Sequence, residues 1–202
     1  MKRALDVTAS ALGLAILAPL LVIVGALIRR EDGGPVLYRS VRAGRGGRPF
    51  GMLKFRTMVV NADRVGPPST ADDDPRITRI GRILRKYKLD ELPQLVNVLR
   101  GEMSLVGPRP EVLSEVEQYA GEEQLLLSVL PGMTDWASLR FRNEGAILEG
   151  SPDPHRTYRE QIRPEKIRLG LEYVYRHSFW TDLKILAHTA LMPFGFGARR
   201  EP

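Results

Sequence analysis

Leu14-Ala15-Ile16-Leu17-Ala18-Pro19-Leu20-Leu21-Val22-Ile23-Val24 is the centre of an apolar run that decides where this chain resides. Met1-Lys2-Arg3 precedes the run, Arg29-Arg30 follows it, and no residue from Val7 to Ile28 is charged. About 20 apolar residues in a helix cross a bilayer core. The run exceeds a signal-peptide h-region and lacks a small-residue cleavage site before the basic pair. Two readings stay open, a single span and a re-entrant helix. Pro19 removes one helix hydrogen bond near the middle and favours a kink. Basic residues flank both ends, and if both ends are cytoplasmic the segment must enter and return.

Outside that run the chain is that of a globular domain. Of 202 residues, 43% are hydrophobic, enough for a core, and there is no cysteine. Disulfides and thiolate metal sites are thereby excluded. A net charge of +6 and a pI near 9.8 suit an anionic partner: nucleic acid, an anionic membrane surface or a phosphorylated substrate. No nucleic-acid-binding motif accompanies the charge, so nucleic acid is set aside.

Past Glu31-Asp32-Gly33-Gly34-Pro35, a turn, the residues 36–41 read as a strand. A hairpin turn over 44–49 follows, and then a second strand over 50–58. Alternation places Met52, Lys54, Arg56 and Met58 on one face. Paired cations there are either solvated edge charges or anion ligands, the first being commoner. The stretch from Asn61 to Asp74 reads as a polar loop, and its Asp72-Asp73-Asp74 as solvated acids. Thr78 starts a basic amphipathic helix with Ile80, Ile83, Leu84 and Tyr87 at helical spacing, suited to anionic headgroups. Asp90 reads as the N-cap of a further helix, with Pro93 in its first turn and Gly101 at its end. The acids Asp90 and Glu91 would then sit at a positive helix terminus, where an ordinary cap is the plain explanation.

The remainder reads as a charged helix from Glu111 to Ala120, helical residues from Glu122 to Val129, and a turn at Pro131-Gly132-Met133-Thr134. An extended segment over 136–141 and two amphipathic helices, from Pro164 to about His177 and from Trp180 to Met192, follow. Phe179 and Trp180 either face the core or lie at a membrane interface. His155, His177 and His188 show no ligand spacing.

Taken in order, Lys54-Phe55-Arg56-Thr57-Met58, Leu89-Asp90-Glu91-Leu92-Pro93-Gln94-Leu95 with Asn97-Val98-Leu99, and Gly101-Glu102-Met103-Ser104-Leu105-Val106-Gly107-Pro108-Arg109-Pro110 resemble the bacterial sugar transferase family. These are the monotopic phosphoglycosyl transferases. Pro131-Gly132-Met133-Thr134 and Ser178-Phe179-Trp180-Thr181-Asp182-Leu183-Lys184-Ile185-Leu186 match as well. The resemblance implies an α+β, mainly helical fold with a small β-hairpin, interfacial amphipathic helices and a re-entrant helix over 1–30 kinked at Pro19. Residues 31–202 would form the catalytic domain on the cytoplasmic face of the bacterial inner membrane. It implies transfer of a sugar-1-phosphate from a UDP-sugar to polyprenyl phosphate with release of UMP, the first membrane step of glycoconjugate or exopolysaccharide assembly. Asp90 would be the nucleophile that carries the phosphosugar, Glu91 its catalytic companion, and Mg2+ the cofactor held by Asp90.

The negative diphosphate must be neutralised before a carboxylate attacks it, so Lys54, Arg56, Arg85 and Arg109 are the expected phosphate-binding cations. Pro108, Pro110 and Thr134 are the expected substrate loop. Partners would be the UDP-sugar, polyprenyl phosphate and membrane lipids, with a homodimer left open. A catalytically silent membrane scaffold of a glycan pathway is the alternative. Two departures stand out. Ala18-Pro19 replaces the family's Ser-Pro, and Asp135 follows Thr134 where the family has glycine, a strained position if it needs positive φ. No multi-pass segment precedes the apolar run, so the chain is expected to be a minimal catalytic unit.

Overall fold

The computed structural model describes residues 1–62 and 70–192. Residues 63–69 of the expected polar loop and the last residues of the expected catalytic domain lie outside the described residues. The fold is α+β and mainly helical, as expected. Helix α1 (Lys2–Asp32) runs through Pro19 as one 31-residue helix and ends at Gly33. The Ala18-Pro19 break expected from the sequence is therefore not an interruption of helical structure. At about 1.5 Å per residue α1 is about 46 Å long.

Strands β1 (Leu37–Ala43) and β2 (Pro49–Phe55) form the antiparallel hairpin, with Leu37 opposite Phe55 and Ala43 opposite Pro49. The reversal uses Gly46 and Gly47, both at φ near +70°, a conformation a Cβ disfavours. Helix α2 (Arg79–Lys86) is capped by Thr78, whose side chain accepts from Gly81 N at 2.9 Å. Helix α3 (Gln94–Arg100) ends at Gly101, left-handed with φ 80°. Strand β3 (Ser104–Val106) pairs in parallel with β4 (Gly132–Thr134). Between them lie α4 (Leu113–Val116) and a 3-10 segment, Gly121–Ser128. The charged helix expected from Glu111 to Ala120 is thus a single turn.

Helices α5 (Trp136–Arg140), α6 (Glu144–Leu148) and α7 (Pro154–Thr157) precede α8 (Arg163–Arg176) and α9 (Phe179–Leu191). Trp136 to Phe141, expected to be extended, is helical through Arg140. The reason is local. Asp135 adopts an extended N-cap conformation and accepts from Ser138 N at 2.7 Å and Ser138 Oγ at 2.6 Å, which satisfies first-turn groups. Its φ of −159° also removes the concern over the missing glycine, because any residue adopts it.

One apolar cluster joins Met52, Leu95, Val98, Met103, Val106, Tyr173 and Ile185, with Leu14 and Leu17 of α1 packed against it. A second joins Val24 and Ile28 of α1 to Phe55 and Leu84, with Leu89 alongside. Helix α1 therefore packs along its length on the rest of the chain. Both of its ends are tied to the same body. Lys2 Nζ donates to Asp182 Oδ2 at 2.6 Å and Val106 O at 2.9 Å, and Arg3 Nη1 to Val98 O at 2.6 Å. At the far end Arg56 Nη1 donates to Asp32 Oδ2 at 2.6 Å and Arg79 N to Glu31 Oε1 at 2.9 Å. The opposite side of α1 carries Leu12, Ile16, Val22 and Ile23 in the open, Ile16 at 75% exposure. Trp180 at the start of α9 is 77% exposed, so of the two readings it takes the outward one.

Candidate active site

Asp90 lies in a 3-10 turn, Leu89–Glu91, between α2 and α3. It is not the N-cap of α3, which begins four residues later behind Pro93. A seven-residue helix starting there supplies no terminus for the two acids, so the positive surroundings of Asp90 come from side chains. The turn is shaped by Lys88, whose left-handed backbone (φ 57°) redirects the chain after α2. Leu89 anchors it in the apolar cluster under α1, and Leu95 anchors the following helix in the main core. The partly buried Leu89 and the buried Leu95, one on either side, therefore aim the acids between them.

Glu91 is clamped. Arg109 donates from both terminal nitrogens, Nη1 to Oε2 at 3.0 Å and Nη2 to Oε1, and Lys54 Nζ donates to Oε1 at 3.3 Å. This two-pronged geometry is the strong form of a carboxylate pair. Burial would raise the Glu91 pKa, but the charges of Arg109 and Lys54 outweigh it and hold Glu91 well below the usual range. Asp90 is the reverse case. Burial pushes its carboxyl up, against the opposing charge of Lys54, and its Oδ1 is buried with no hydrogen-bond partner among the described residues. Adjacent carboxyls whose environments drive them apart are a recurring mark of acid, base and nucleophile assignments.

Lys54 is held at the right height by a residue the sequence reading did not single out. Asn97 of α3 is fully buried and closes the free edge of β2. Its Oδ1 accepts from Leu53 N and its Nδ2 donates to Gly51 O, both at 2.9 Å. A side-chain amide thus imitates a third strand. The signal was present: an asparagine stands within the apolar stripe of Leu95, Val98 and Leu99.

Arg109 sits between two buried prolines, Pro108 and Pro110. The loop is fixed by Gly132 N donating to Pro108 O at 2.9 Å and Gly107 N to Thr134 O at 3.0 Å. The strands approach so closely that a Cβ on Gly132 would lie 2.1 Å from Gly107 N. Thr134 itself engages Thr189 of α9, Oγ1 to Oγ1 at 2.9 Å, and serves as a dock for that helix. Arg85 is an electrostatic neighbour of Asp90 and reaches Thr70 O at 3.5 Å. Arg56 is not brought to this cluster. The strand ends at Phe55, and beyond it the Arg56 guanidinium is held by Asp32, Pro35 O and Met58 O. Asp74 of the acidic loop pairs with Arg76 at 2.6 Å.

An acid pair held by cations from a hairpin and a proline-flanked loop thus lies beside a long apolar helix. The chain belongs to the bacterial sugar transferase family, whose model matches residues 1–195. It is 40% identical over 191 residues to the UDP-glucose:undecaprenyl-phosphate glucose-1-phosphate transferase of Caulobacter vibrioides, covering 93% of this chain and 67% of that protein. It is 34% identical to the UDP-N-acetylgalactosamine-undecaprenyl-phosphate N-acetylgalactosaminephosphotransferase of Aeromonas hydrophila, over 98% of this chain and 45% of that one. It is 38% identical to the UDP-galactose-lipid carrier transferase of Erwinia amylovora, over 94% and 39%. The chain thus spans about two thirds of the first relative and less than half of the other two.

Proposed function

We propose that this protein transfers a sugar-1-phosphate from a UDP-sugar to polyprenyl phosphate through Asp90. The observation that carries the proposal is the buried, unpartnered Asp90 Oδ1 beside a Glu91 fully committed to Arg109 and Lys54. In the first step an Asp90 oxygen attacks the phosphorus that bears the sugar. The bond from that phosphorus to the bridging oxygen breaks, and UMP leaves with the electron pair. In the second step an oxygen of polyprenyl phosphate attacks the same phosphorus. The bond to Asp90 breaks, the carboxylate is restored, and a polyprenyl diphosphosugar is released. Glu91 holds Arg109 and Lys54 where the phosphate charge develops. A covalent relay suits a soluble donor and a lipid acceptor, because each meets the same group in turn.

Magnesium fits this donor set. Mg2+ binds through one or two carboxylates plus substrate phosphates, and of the Asp90–Glu91 pair Asp90 is the one with a buried carboxylate oxygen left uncommitted among the described residues. Bound there with the diphosphate, the ion would neutralise phosphate charge.

The relatives' names give three different sugars, so a donor panel is the direct assay. UMP release should appear with one UDP-sugar when undecaprenyl phosphate and magnesium are present in detergent or nanodiscs. No release across UDP-glucose, UDP-galactose and their acetamido forms would leave the silent-scaffold reading instead.

We also infer a monotopic seat at the cytoplasmic face of the inner membrane. The support is the attachment of both ends of α1, and its middle, to one body. A vertical span through about 30 Å of hydrocarbon would drag those packed polar elements with it. An embedded α1 can instead offer Leu12, Ile16, Val22 and Ile23 to lipid. Cysteines placed at Met1 and at Gly34 should label from the same side of sealed inverted vesicles. Labelling from opposite sides would refute the monotopic seat.

A further inference from the structure

Arg42 is a cation near this site that the reading above leaves without a role. It lies on β1 opposite Phe50 of β2. Opposed residues share a face of an antiparallel pair, as do residues two apart on one strand. Phe50, Met52 and Lys54 follow that rule along β2, so Arg42 stands on the face that carries Lys54.

Its guanidinium is poorly matched. Arg42 Nε donates to Ser40 Oγ at 3.0 Å, and no carboxylate among the described residues lies within 4.0 Å of it. The acids nearby are engaged elsewhere. Glu111, tied to β1 by Ala43 N donating to Glu111 O at 3.0 Å, accepts Tyr158 Oη–H at 2.7 Å through its carboxylate. Glu91 is taken by Arg109 and Lys54. Burial lowers the pKa of Arg42, Glu111 opposes the shift, and the charge of Arg109 adds to it. Lys54 in turn feels both Arg109 and Arg42 as like charges. A guanidinium stays protonated even so. Lys54, Arg109 and Arg42 therefore stand against two ionised carboxylates, Glu91 and Glu111, while burial pushes the Asp90 carboxyl towards its neutral form, which leaves a local excess of positive charge. Such an excess is relieved when a polyanion binds.

We propose that Arg42 binds a substrate phosphate beside Lys54 and Arg109, an inference that rests on the transfer reaction proposed above. Two phosphates share the required chemistry, the diphosphate of the UDP-sugar and the phosphate of the polyprenyl acceptor. Arg42's Nη groups, which make no hydrogen bond among the described residues, offer paired donors, the geometry that suits phosphate oxygens.

The test uses the full chain in nanodiscs, as wild type, Arg42→Gln and Arg42→Lys. UDP affinity is read by calorimetry, and KM for the UDP-sugar and for undecaprenyl phosphate is read from UMP release. Arg42→Gln should weaken one of these by about tenfold or more, the usual effect of losing one charge-assisted contact, with kcat changed less. Arg42→Lys should recover part of the loss. A fall in UDP affinity with a higher donor KM assigns the donor diphosphate, and a higher acceptor KM alone assigns the polyprenyl phosphate. In case the variants fail to fold, phenylglyoxal modification of Arg42 in the wild type is followed by peptide mapping. UDP or undecaprenyl phosphate should slow it. Unchanged constants in folded variants, or an unprotected Arg42, overturn the inference while UMP release by the wild type stands. A wild type that releases no UMP removes the proposed reaction, and this inference with it.

Discussion

Asp90→Asn should abolish UMP release, by more than about a thousandfold, while leaving the protein folded. The amide is nearly the same size as the carboxyl but is a poor nucleophile. The fold has little to lose, because Asp90 Oδ1 has no hydrogen-bond partner among the described residues to forfeit. The pH dependence gives a second readout. Burial raises the Asp90 pKa in the folded protein. The folded state therefore holds this proton more tightly than the unfolded chain does. Its contribution favours folding at low pH and turns against it as pH rises through the folded value. The thermal midpoint of Asp90→Asn should rise relative to wild type as pH increases from acid to neutral, since the variant has no buried charge to carry. Wild-type UMP release should fall on the acid side at a pH above the ordinary aspartate range. Substantial turnover by Asp90→Asn would end the covalent assignment.

Glu91→Ala should be the most damaging neighbour substitution, in stability and in activity together. It leaves Arg109 and Lys54 side by side with no shared acid, and all three side chains are largely buried. Removing one member of a buried ion pair costs about 3–5 kcal/mol, because the remaining charge stays desolvated. The thermal midpoint should fall accordingly, and UMP release by about a hundredfold as the two cations lose their common anchor. The sign with pH is opposite to that of Asp90. The Glu91 pKa is depressed in the folded state, so its stabilisation is present at neutral pH and is lost only in strong acid, as pH falls through the folded value. Glu91→Ala should therefore lose most relative to wild type at neutral pH and converge with it in acid. A variant with wild-type midpoint and turnover would show that the clamp is dispensable.

Much of this was legible from residue order. A helix starting at Thr78, Gly101 as a stop and the glycine-rich hairpin reversal all follow from local backbone chemistry, and each is where it was expected. What local chemistry missed were segments governed by a neighbour. Trp136 to Arg140 is helical because Asp135 and Ser138 cap it, a choice that short apolar runs do not disclose. Arg56 shares the strand alternation of Lys54 on paper, yet the strand ends first and Asp32 takes the guanidinium. Residue order gave neither Asn97 nor Arg42 a role, because the importance of Asn97 lies in partners more than forty residues away and that of Arg42 in the charges around it.

The sequence by itself determined that a long apolar helix precedes a small basic α+β domain, and that Asp90 and Glu91 sit among cations. Periodicity and turn chemistry act over a few residues, and those features need nothing more. Only the tertiary structure decided which acid is free. Glu91 and Asp90 are neighbours of like charge, and nothing local separates them. Arg109, brought from a loop 18 positions away, and Lys54, from a strand 37 away, both close on Glu91. Asp90 is left buried and protonated more readily, its Oδ1 without a hydrogen-bond partner among the described residues. The same packing ties both ends of α1 to one body, which the length and composition of an apolar run do not specify.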